Sequence, residues 1–198
     1  MSYFQTDCLE VASAARHSDK VFVDTATMVL LSIQQPWQGV PAQFAHVRAH
    51  GRDSVYLFGA KRAGFDYVVE HAQALRIDAQ IAHDTKNLDA LLMKYLAIPG
   101  LGLVKASFLA QLTIADGACI DLHNARRLGL TPNDLKLPKT LKDASRLAKI
   151  SAYNATWRAH GDSEYWWNSW CDNMVGTSYN KRLASGAQVS AIHRLPIE

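Results

Sequence analysis

The stretch Ile98 to Leu130, IPGLGLVKASFLAQLTIADGACIDLHNARRLGL, joins a glycine turn between two apolar runs to an acid, Asp121, set in an apolar segment. Before the turn, Leu88, Leu91, Leu92, Tyr95 and Leu96 recur at helical spacing; after it, Leu103, Ala106, Ser107, Leu109, Ala110 and Leu112 do the same. The pattern predicts helix, tight turn, helix over 88–114. Pro99 fixes one torsion of the turn, and Gly100 and Gly102 leave no side chain over the amides around Leu101. Those amides stand at the positive end of the second helix, with Lys105 close by, so the turn is a natural place for a phosphate. A helix stop built from Pro and Gly has the same spelling, and a carboxylate such as Asp121 just before His123 and Asn124 can also be a helix N-cap.

Working outward, the 198 residues with 48% hydrophobic content supply a sizeable core. A formal charge of +3 is only mildly basic, so a nucleic-acid surface has to come from local clusters. Three cysteines, Cys8, Cys119 and Cys171, argue against a disulfide framework and suit a reducing compartment. No Cys or His spacing of a zinc site is present, so no metal ligand set is assigned. The N-terminus lacks a signal-peptide core and no run of ~18 apolar residues occurs, which leads us to expect a cytoplasmic protein without a membrane segment.

Residues 3 to 16 read as a first helix with Phe4, Cys8, Val11, Ala12 and Ala15 on one side. Residues 21 to 35 read as a buried helix ending before Pro36, with Gln34, Gln35 and Trp37 in the following loop. Pro41 can open a helix that carries His46, Arg48, His50 and Arg52, a basic run suited to phosphate contacts, as Lys61 and Arg62 also are. Residues 60 to 82 fit helices interrupted near Ile77 to Ala79, and Asp84 or Thr85 can cap the helix that leads to the turn. Thr131 to Asp134 looks like a capped turn. Helix is expected from Leu141 to His160 and, capped by Asp162 or Ser163, from Glu164 to Val175, whose Trp166, Trp167 and Trp170 read as anchors to a core. Val189, Ile192 and His193 fit a last short helix.

The order apolar-Pro-Gly-apolar-Gly in 98–102, with Ala106 four residues after Gly102, resembles the helix-hairpin-helix of DNA glycosylases of the endonuclease III superfamily. Two further segments strengthen the likeness. Ile120-Asp121-Leu122-His123 before Arg126 and Arg127 is similar to the family's catalytic segment, and Leu30-Leu31-Ser32-Ile33-Gln34 looks like the segment whose glutamine fills the space left by an extruded base. The resemblance implies an all-α, two-lobed glycosylase-like fold over 1–198, and a count of three cysteines excludes the four-cysteine iron-sulfur cluster that many relatives carry. One lobe would comprise approximately 1–22 plus 131–198 and the other approximately 23–130. It also implies binding of double-stranded DNA through Gly100, Leu101, Gly102, Lys105, Gln34, Arg48 and Arg52.

The departures narrow the activity. The lysine that bifunctional members place two residues after the second glycine is Val104 here, and Lys105 is turned ~100° from it around a helix, so a lyase is not expected. The wording from Asp121 to Arg127, together with Glu164-Tyr165-Trp166-Trp167, is similar to a bacteriophage branch known as glutamyl/putrescinyl-thymine pyrophosphorylase-like, or amino acid:DNA transferases. That likeness implies transfer of a free amino acid, such as glycine, onto pyrophosphomethyl-uracil in DNA with release of pyrophosphate. Asp121 and Lys105 would be catalytic, Arg126 and Arg127 would contact the leaving phosphates, and Trp37, His123 and Asn124 would line a base or co-substrate pocket. No cofactor is required, although a divalent ion can accompany the pyrophosphate, and no obligate protein partner is evident. The alternatives are a monofunctional glycosylase, for which Asp121 suffices, and a noncatalytic helix-hairpin-helix module that binds DNA.

Overall fold

Ser18 opens the element on which the rest of the chain packs. Its extended backbone and its hydroxyl, which accepts from the Val21 amide at 3.3 Å, start a helix that is buried on every side from Thr25 to Leu31. In the computed structural model, which describes residues 4–35, 37–138 and 140–174, the chain is all-α, with no strand among the described residues. A π-helical turn, Gln5–Glu10, runs into α1 (Val11–His17), followed by α2 (Asp19–Leu31) and α3 (Val40–His50). Then come α4 (Ala60–Glu70), α5 (Ala72–Thr85), α6 (Leu88–Tyr95), α7 (Leu103–Ile114), α8 (Leu122–Arg127), α9 (Asp143–Arg158) and α10 (Ser163–Met174).

α2 and α7 form the centre. α7 is buried continuously from Ala106 to Ile114, so it too has no solvent face. α1 packs on both, α3, α4 and α5 lie against α2, and α6 bridges α7 and α9. The arrangement gives one continuous apolar cluster from Phe4 to Cys171. α4 comes unusually close: a methyl group at Gly64 would stand 2.4 Å from the Pro99 carbonyl and 2.7 Å from Leu30 Cδ2, so glycine at 64 lets this helix touch the hairpin and α2 together.

The C-terminal helix is fastened by its indoles, as expected of anchors. Trp166 Nε1 donates to the Trp157 carbonyl at 2.9 Å, Trp167 Nε1 to Asp7 at 3.3 Å, and the Phe4 amide reaches Asn168 at 3.3 Å. Asp162 supplies the cap, accepting from the Tyr165 amide at 2.8 Å. No helix among the described residues is long and apolar enough to cross a membrane.

Several boundaries differ from the sequence reading. The first helix begins with the π turn, and α2 stops at Leu31, four residues short of Gln35. The break in 60–82 falls at His71, where the imidazole stacks on Tyr67 at 4.2 Å and bonds its carbonyl; α5 runs unbroken past Ile77 to Ala79 because Ala72, Leu75, Ala79 and Ala82 keep one buried register. Ile81 and Val69, apolar residues within this range, are exposed. The cap before the hairpin is Asn87, accepting from the Ala90 amide at 3.0 Å, because α5 continues through Asp84 and Thr85. The expected helix at Val189 to His193 lies outside the described residues, as does Val175.

Candidate nucleic-acid interface and acid site

The hairpin is a tight turn of the kind its residues demand. The Leu101 amide donates to the Ile98 carbonyl at 3.1 Å, with Pro99 at the second position and Gly100 at the third with φ +88, the type II signature. Gly102 is extended and open, and α7 starts there without a side-chain cap, its first turn closed by the Ala106 amide on the Gly102 carbonyl at 2.8 Å. The amides that precede this bond have no intrahelical partner, and both glycines beside them are exposed. An anion can therefore be held by backbone alone. The Leu101 side chain is buried, so only its backbone can face a partner.

Lys105, half-buried in the first turn of α7, donates to Ser32 Oγ at 2.9 Å, and Ser32 in turn donates to the Val29 carbonyl. Lys61 does not lie on the surface: it is buried and donates to the Leu31 carbonyl at 3.1 Å. The 30–34 segment, the hairpin helix and α4 thus meet at one point, where two ammonium groups cap the negative end of α2. Burial first, and then the Lys105 charge, hold the Lys61 amine below the usual lysine range. Just beyond, Gln34 is exposed and carries a left-handed φ of +54, a conformation that a glutamine holds only at a cost.

Asp121 sits at the end of an irregular strap, 117–121, whose backbone is held by side chains from three helices. The Ser107 hydroxyl accepts from the Ala118 amide at 3.0 Å, Tyr153 donates to the Ala118 carbonyl at 2.7 Å and accepts from the Ile120 amide at 3.4 Å, and Ser163 donates to the Gly117 carbonyl at 2.6 Å. These bonds replace the ladder that a buried irregular segment lacks. Asp121 is half-exposed and caps α8, its Oδ1 accepting from the Asn124 amide at 3.0 Å, so the capping reading holds. Burial first pushes the Cys119 thiol up to about 11; the Lys105 ammonium lowers it and the Asp121 carboxylate raises it.

The other candidates divide. Trp37 does not stand out as a base platform. It packs edge-on against Phe108 and Trp170, with ring centroids 5.8 and 5.3 Å away, although Lys105 lies over the same Phe108 ring at 5.2 Å. Asn124 is buried and donates to the Cys119 carbonyl at 3.2 Å, so it locks the strap to α8 rather than lining an open pocket. The His123 side chain lies outside the described residues. Arg126 is exposed, whereas Arg127 bonds Ser169 and Tyr165 and lies over Trp166, clamping α8 to α10. Arg48 is exposed at the end of α3, and Arg52 is already paired with Asp66 at 2.7 Å.

Two residues escaped the sequence reading. Val55 and Phe58 are 71% and 60% exposed in the loop that ends at Gly59, immediately before Ala60, whose carbonyl flanks Gly100. The signal was an apolar run too short and too irregular for a helix, closed by glycine and followed by lysine and arginine. Exposed apolar side chains in a loop are of the kind that wedge between bases. Comparison of the chain with protein-family models, with curated proteins and with solved structures finds no match.

Proposed function

We propose that the chain is a helix-hairpin-helix enzyme that acts on a pyrimidine extruded from duplex DNA. The observation that carries the reading is the uncapped start of α7 at Gly102 behind the Gly100 turn, with Lys105 held on Ser32; the Asp121 carboxylate and the Lys105 ammonium both act on the Cys119 thiol. A phosphate grip, a wedge and a pocket acid or base are what base extrusion requires. The hairpin amides hold a backbone phosphate. Gln34, with Val55 and Phe58, enters the duplex and occupies the vacated space.

The reaction is transfer of an amino acid to a pyrophosphomethyl-uracil base. The amine nitrogen, relieved of its proton by Asp121, forms a bond to the methylene carbon. The carbon–oxygen bond to pyrophosphate breaks, and the leaving group departs with the electron pair, its charge met by Lys105. The glycosidic bond is untouched. Mass spectrometry of nucleosides and released bases, after incubation with duplex DNA carrying pyrophosphomethyl-uracil with and without mixed amino acids, tests this. A nucleoside heavier by one amino acid is the expected product; free base with abasic DNA would replace the transferase by a glycosylase.

A further inference from the structure

A cavity of about 250 Å³ lies between the 130–135 turn and α9, and none of Lys105, Asp121, Gln34 or the hairpin residues lines it. Its floor is apolar, formed by Ile120, Leu130, Leu135 and Trp157, and its rim carries Asp134 and Lys149. The space equals about eight waters at ~30 Å³ each, which suits a metabolite of amino-acid size.

The rim charges are each fixed by backbone. Asp134 Oδ2 accepts from the Thr131 amide and hydroxyl, both at 2.7 Å, and its Oδ1 accepts no hydrogen bond among the described residues. Lys149 Nζ donates to the Lys136 carbonyl at 2.9 Å and keeps further protons to give. The Thr131 bonds and then the Lys149 charge hold the Asp134 carboxyl below its usual range, yet no direct ion pair joins the two residues among the described ones. A carboxylate and an ammonium held apart over an apolar floor are complementary to a molecule that carries the opposite charges at one end and hydrocarbon at the other.

We infer that this cavity binds a free α-amino acid with an apolar side chain, its ammonium on Asp134, its carboxylate on Lys149 and its side chain on Ile120 and Trp157. The site needs only these residues and does not depend on the DNA-modification reading. Its occupant touches the strap that ends in Asp121, because Ile120 forms the floor and Tyr153, another lining residue, holds both the Ala118 carbonyl and the Ile120 amide.

The test is titration of the full chain, without DNA, with L-leucine and L-phenylalanine, followed by calorimetry and by amide resonances. Saturable one-site binding that moves the Ile120 amide is expected. N-acetyl-leucine and leucinamide, each lacking one charge, should bind at least ~10-fold more weakly, as should leucine to Asp134→Asn and Lys149→Met. Ala152→Phe, at the rim, fills the space without touching either charge and should abolish binding. Absence of saturation at millimolar concentration would overturn the inference. So would binding indifferent to both charge variants, or binding that leaves the 118–120 amides unmoved.

Discussion

The Lys105 ammonium donates to the Ser32 hydroxyl at 2.9 Å across 73 residues of sequence, and so ties the helix behind the hairpin to the end of α2, the other helix of the centre. The bond aims an otherwise flexible amine. Lys105→Met should lower turnover at least ~100-fold, the cost of removing one preorganised donor at developing charge, while Ser32→Ala, which only releases the amine, should lose less. Equal activity of Lys105→Met and wild type in a single-turnover assay would remove Lys105 from the chemistry.

The cap that Asp121 makes and the catalytic role proposed for it can be separated by substitution. Asparagine keeps an oxygen for the Asn124 amide, so Asp121→Asn should unfold in urea at nearly the wild-type midpoint; Asp121→Ala loses the cap and should be less stable by about 1 kcal/mol. Turnover should vanish in both, with DNA affinity nearly intact. An active asparagine variant would leave Asp121 a cap only.

The two hairpin glycines are unlike in what they tolerate. Gly100 has φ +88, and a methyl group there would stand 3.2 Å from the Ala60 carbonyl, so Gly100→Ala should cost about 1–2 kcal/mol of stability. Gly102 is extended with open space around it, and Gly102→Val should fold normally. Its side chain would instead cover the free amides of α7 and weaken binding to duplexes of every sequence. Unchanged affinity in a salt-controlled titration would sink the phosphate-hairpin reading.

Lys61 gives stability a defined response to pH. Its amine is held below the usual lysine range, so between that lowered value and ~10.4 the unfolded chain binds more protons than the folded one. Stability at this site therefore rises as pH climbs through that window. Lys61→Met strips the Leu31 carbonyl of its donor at every pH but lacks the titration. The unfolding free energy of wild type relative to this variant should accordingly grow as pH rises toward ~10.4; a flat difference would contradict the assignment.

Val55 and Phe58 are exposed enough to be changed freely. Serine at both positions should alter stability by no more than about 0.5 kcal/mol yet suppress base extrusion, read as loss of the fluorescence rise of 2-aminopurine placed beside the target. An undiminished rise would show that the wedge lies elsewhere.

The helices and the turn were legible because their signals are local. Apolar spacing gave α6 and α7, Pro99 and Gly100 gave the turn, and Asp121 three residues before Asn124 gave a cap. What escaped depends on partners distant in sequence. Nothing near Lys61 says that its stem crosses to Leu31, and nothing near Trp37 says that Phe108 and Trp170 will enclose it. Arg127 reads as a phosphate ligand until Tyr165 and Ser169 are beside it. The break at His71 rather than at Ile77 to Ala79 was hidden for a different reason: alanines at 72, 79 and 82 carry the buried register but add little to an apolar count.

The strap that bears Asp121 takes its hydrogen bonds from Ser107 on α7, Tyr153 on α9 and Ser163 on α10, which come together only when the C-terminal third of the chain has docked onto the middle. Such a segment cannot be ordered early, since each bond waits on closure of a loop of its own. The acid is therefore the last piece of the site to be set during refolding. Chains with α2 and α7 already paired should gain the hairpin's grip on DNA before they gain turnover.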